Sequence, residues 1–86
     1  MKVLCINDKN RPNEVPTSRW IKKDEEYTII AVAFLTIQNT YGCKLAEINN
    51  DDLFPYQYFA LDRFAISKSE IETAIKEEEL ELEEVL

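Results

Sequence analysis

The chain has no histidine among its 86 residues. That absence removes histidine triads, histidine general bases and histidine metal ligands together. Its single glycine, Gly42, excludes a glycine-rich phosphate loop. Only two cysteines occur, Cys5 and Cys43, with no C-x-x-C spacing, so neither a disulfide framework nor a structural zinc site has enough partners. Both are expected to be reduced, strand-borne and half-buried, without the helix N-terminus or histidine partner that makes a thiolate reactive. No apolar run approaches the roughly 18 residues of a membrane span. The opening "MKVLCIND" turns polar too soon for a secretory h-region, so the expected location is cytoplasmic, with no membrane partner. Glu47, Asp51, Asp52 and Asp62 stand beside predicted turns, where carboxylates are ordinary turn formers. No catalytic residue, cofactor or metal site is expected, and the chain reads as a non-enzyme.

What is present is unevenly placed. The net charge is −7, and residues 67–86 hold eight glutamates against Lys68 and Lys76. The body is nearly neutral, and within it Lys9, Arg11, Arg19, Lys22 and Lys23 cluster against Glu14 alone. The chain is polarised between a mildly basic early loop and an acidic end. Aromatic residues are concentrated as well: five of the nine lie between Phe54 and Phe64, in "FPYQYFALDRF".

At this length the chain holds one core. Residues 2–6, "KVLCI", read as a short strand. Residues 8–19 carry Pro12 and Pro16 and read as a long ordered loop, a kind that is often functional in a small domain. After the turn "KKDE", residues 27–38 form a β-prone run whose unbroken apolar middle predicts a strand buried on both faces, or one carrying a bulge. Gly42 is expected to close a hairpin with a positive φ, and residues 43–48 to return. Alternation then puts Tyr56, Tyr58 and Ala60 on one face and Phe59 and Leu61 on the other, followed by a tight turn at "ALDRF" with Asp62 and Arg63 outside. Ser67 and Glu70 have capping-box spacing, and Ile71, Ala74 and Ile75 give an apolar stripe, predicting a helix over about 68–78. Five glutamates near its end oppose the helix dipole and predict fraying.

Three segments, "KVLCIND", "RPNEVPTSRWIKKDEEYTI" and "FPYQYFALDRF", carry a resemblance. Over residues 1–66 the chain resembles small, functionally uncharacterised proteins of bacteriophages and prophages with an SH3-like barrel. Asp24 stands where the barrel's strand entry usually has a turn glycine, and Asp tolerates the left-handed region better than most residues. The resemblance implies a mainly β fold with an SH3-like barrel of about five strands at 1–66; the acidic helix or tail at 67–86, read from its own residues, lies outside it. It implies little about activity, since fold does not fix function.

The expected function is therefore protein–protein interaction, in a phage or prophage setting. Trp20, Tyr56, Tyr58 and Arg63 are the candidate partner-binding residues of the body. The tail reads most simply as an amphipathic helix packed on the barrel; the alternatives are a cover over the basic loop in cis and docking on a partner through the candidates Ile71 and Ile75 with Leu82. The alternatives are a nucleic-acid-associated regulator using Lys9, Arg11, Arg19, Lys22 and Lys23, an acidic DNA mimic, or a virion structural component. The acidity of the whole chain (pI ≈ 4.5) counts against nucleic acid.

Overall fold

The β-branched and aromatic run beginning at Tyr27 forms the longest strand of a computed structural model that describes residues 1–36 and 38–83. Residue 37 of the expected strand and residues 84–86 of the expected tail lie outside the described residues. The elements in order are β1 (Lys2–Leu4), β2 (Glu26–Leu35), β3 (Thr40–Leu45), β4 (Phe59–Ala60), α1 (Lys68–Lys76) and β5 (Glu81–Glu83), with short 3₁₀ turns at Thr17–Arg19 and Leu61–Arg63. The fold is mainly β: a five-stranded, mostly antiparallel sheet with one helix.

β2 alternates over its first half, then buries Ala31, Val32 and Ala33 in succession. The change falls at a bulge: the register against β3 shifts between Ile29 and Ala31, and Ile30 is left 51% exposed. β1 pairs antiparallel with residues 26–28 of β2, and β3 pairs antiparallel with residues 29–35. β4 continues the sheet beyond β3. The strands do not close into a continuous ring. Between β4 and β1 there is a single bridge, Cys5 to Phe64, flanked by Ile6 N–H to Arg63 O at 2.8 Å and Ala65 N–H to Leu4 O at 2.9 Å.

Local signals account for several junctions. Asp24 takes the left-handed conformation (φ 72°) that the turn before β2 needs. Ser67 caps α1: its hydroxyl accepts from the Glu70 N–H at 3.1 Å, and the Glu70 carboxylate accepts from the Ser67 N–H at 2.8 Å. The helix is shorter than expected, ending at Lys76. Glu79 N–H reaches Ala74 O and Glu78 N–H reaches Ile75 O, with Glu78 at φ 62°. This is the Schellman pattern, with a glutamate where glycine is usual.

Two expectations need correction. Gly42 does not close the hairpin. It lies within β3 with no positive φ, and the turn is made with Asn39 at φ 53°. Gly42 is needed for a close approach instead, since a Cβ there would sit 2.8 Å from Tyr58 Cβ and 2.9 Å from Leu35 Cδ1. The segment after α1 does not simply fray. Residues 81–83 form β5, parallel to β2, with Val32 opposite Leu82. The residues after 66 share the one core expected at this length: Ile71, Ala74 and Leu80 join Val3, Ile21, Ile29, Val32, Phe59 and Phe64 in one cluster.

The glycine economy of this chain predicts opposite signs at two positions. Gly42→Ala should lower stability by about 1–3 kcal/mol through overpacking against Tyr58. Glu78→Gly should raise it by up to about 1 kcal/mol by relieving the left-handed backbone. Urea unfolding of both variants checks this; a neutral Gly42→Ala would mean that the two strands separate readily.

Candidate functional site

The long loop before β2 is ordered by its own polar groups. The Arg11 guanidinium donates to the carbonyls of Pro12 and Val15, closing the loop over the buried Val15 side chain. The Trp20 indole N–H donates to Asp8 O at 2.6 Å, and Asp8 accepts from the Lys23 N–H at 3.0 Å. Trp20 is thereby fixed at the loop's base, its ring 5.4 Å from that of Phe59 and tilted by 50°.

Beside it runs a groove of about 360 Å³. One wall is the loop, through Asn10 and Pro12. The other is the end of the β2–β3 hairpin, through Leu35, Gln38 and Thr40. Pro55, Tyr56, Tyr58, Phe59 and Ala60 run along it, and Trp20 and Arg63 complete the lining. Phe54, at the start of that aromatic stretch, is 82% exposed.

The two tyrosines divide their character as the alternation predicts, with rings against the groove and hydroxyls at its edges. Tyr56 Oη donates to Glu14 at 2.7 Å, which pushes the phenol's pKa up. Tyr58 Oη donates to Glu83 at 2.7 Å; partial burial, reinforced by that carboxylate, raises its pKa too. Glu83 is held in turn by Lys44 at 3.1 Å, and Lys44 also meets Asp51 at 3.0 Å with its ammonium 5.1 Å from the Tyr58 ring centre. The hydrogen bond to Asp51, added to by Glu83, raises the Lys44 pKa, while the Tyr58 hydroxyl and Lys44 hold Glu83 below the usual glutamate range. The groove's far edge is thus tied to β5.

Four of the candidate residues, Trp20, Tyr56, Tyr58 and Arg63, come together here. The tail candidates do not join them. Ile71 is fully buried in the core and so is not available to a partner; Ile75 packs against that core, half-buried; Leu82 is 49% exposed on β5. The basic residues are dispersed. Arg19 is paired with Asp52 at 2.6 Å, Arg11 is turned onto carbonyls, and Lys9 and Lys23 line a separate depression with Asp8 and Asp62. Sequence reasoning missed Glu14 and Glu83 as hydroxyl partners. Only the Leu-Glu-Leu-Glu alternation at 80–83 hinted that the tail runs on as a strand.

Among the lining residues there is no carboxylate or thiol. Both cysteines are buried elsewhere, and desolvation pushes the Cys43 thiol up to about 12. Among the described residues no cluster of three metal-ligating side chains occurs, and no helix is long and apolar enough to cross a membrane. No protein-family model, curated protein or solved structure matches the chain.

The Glu83 network carries a pH signature. A carboxylate whose folded pKa lies below its unfolded value stabilises the fold above the unfolded pKa, and that contribution is lost as pH falls through the folded one. Glu83→Gln should therefore be less stable than the parent at neutral pH, with the gap closing below the ordinary glutamate range. Thermal melts of both proteins across acid pH check this; a gap independent of pH would assign the loss to packing alone.

Proposed function

We propose that this chain is a non-catalytic binding module whose aromatic groove takes an extended segment of a partner protein. The observation that carries the reading is the groove itself. Four aromatic side chains, Trp20, Tyr56, Tyr58 and Phe59, and two prolines line a concave strip in which Arg63 is the only charged side chain among the described residues. Aromatic-lined grooves of this kind suit extended, proline-containing segments, which lose little entropy on docking and present alternate faces to the rings. Trp and Tyr anchors with satisfied polar ends are what interfaces use as their energetic centres.

An SH3-like barrel is the finer fold reading. Support comes from the consecutive antiparallel order β1 to β4, the long ordered loop after β1, and the 3₁₀ turn at Leu61–Arg63 that brings Phe64 back against Cys5. The phage or prophage setting rests on the resemblance of the three segments noted above. Nucleic-acid binding is disfavoured by the dispersal of the basic residues and by carboxylates at both groove edges, which repel phosphate.

Trp20 is the only tryptophan, so its emission reports on the groove directly. Peptides selected from a random displayed library against the full chain should shift that emission. Their affinity should fall by about tenfold or more on Tyr56→Ala, a change at a half-exposed position that leaves the core intact. Peptides that bind without moving the Trp20 signal, and indifferently to Tyr56→Ala, would place recognition on another surface.

A further inference from the structure

The groove's charge arrangement specifies more than an extended ligand. Arg63 is its one charged lining residue among the described residues. Its guanidinium lies 4.8 Å from the Trp20 ring centre, within cation–π range. One terminal nitrogen donates to Lys9 O at 2.7 Å and to Asn7 O at 3.4 Å. Both acceptors are neutral, and a guanidinium has five N–H donors. Among the described residues no carboxylate lies within ion-pairing distance of Arg63, whereas Arg19 and Lys44 both have one. The two carboxylates bonded to groove tyrosines are engaged from its edges, Glu14 by Tyr56 and Glu83 by Tyr58 and Lys44.

The structure therefore segregates its charges. Hydroxyls cap Glu14 and Glu83 at the edges, while Arg63 lies against the Trp20 ring with no ion-paired carboxylate among the described residues. Resting on the groove reading above, we infer that the bound segment carries an acidic side chain, Asp or Glu, whose carboxylate docks on Arg63. A planar fork with open donors matches a carboxylate in two-point geometry, which an ammonium does not. The apolar surroundings strengthen such a pair relative to one in water. The repulsion from a chain of net charge −7 acts at long range and is screened by salt, so binding should hold as ionic strength rises to physiological levels.

The test is a double-mutant cycle on peptides selected from the random displayed library. Peptides that shift Trp20 emission should share an internal Asp or Glu. Replacing it by Asn or Gln should weaken binding to the full chain by about tenfold or more. The same replacement should have no effect on binding to Arg63→Gln, and Arg63→Lys should recover only part of the preference. The peptide-side change is read on the unaltered protein, so the outcome does not depend on Arg63→Gln folding. Groove-binding peptides that keep full affinity without the acid, or whose binding depends on a free C-terminal carboxylate instead, would overturn this inference and leave the groove reading standing. Failure to recover any peptide that shifts Trp20 emission would remove both.

Discussion

The bend in β2 at Ile30 is the constraint on which the other elements depend. A strand has two edges, and β3 takes one of them from residue 29 onward. On the opposite edge β1 pairs with residues 26–28, and Met1 exchanges hydrogen bonds with Ile29 just before the bulge. The second half of that edge is then open, and β5 fills it from the far end of the chain. β3 and β4 continue the sheet from the other edge of β2, and Phe59 of β4 lies against Trp20.

The groove is built from segments far apart in sequence, and each contributes one kind of group. The long loop contributes Pro12 and, beyond it, Glu14. The hairpin end contributes Leu35, and the stretch from Pro55 to Ala60 supplies the tyrosines and Phe59. The hydroxyl-to-carboxylate bonds at Tyr56 and Tyr58 each tie that aromatic stretch to a different distant segment. A rim made of charge-assisted hydrogen bonds holds side-chain orientation more tightly than apolar contact alone. A ligand would therefore meet rings that are already oriented, which lowers the ordering cost of binding.

What was legible in the sequence was local. The Ser67–Glu70 box, the left-handed Asp24 and the division of Phe59 and Leu61 from the tyrosines all follow from residues within four positions of each other. The candidates Trp20, Tyr56, Tyr58 and Arg63 could be picked as amphipathic aromatics and their basic neighbour, though nothing in the spacing shows that they share a groove. What was misread depended on partners distant in the chain. Gly42 looks like a turn glycine until Tyr58 is seen against it. Ile71 has the same stripe whether it faces the sheet or a partner. The acidic tail carries no signal strong enough to announce a parallel strand, because its pairing surface belongs to residues 31–33.

The parallel pairing of β5 has a consequence for synthesis. Chains are made from the N-terminus, and residues 31–33 emerge about fifty positions before their partners at 81–83. Throughout that interval the most apolar part of β2 presents an unpaired edge, and the positions later covered by Ile71, Ala74 and Leu80 lie bare. An open apolar edge is a template for pairing with other chains. The nascent chain therefore keeps that edge open until residues 81–83 emerge, and pairing of β5 with β2 covers it.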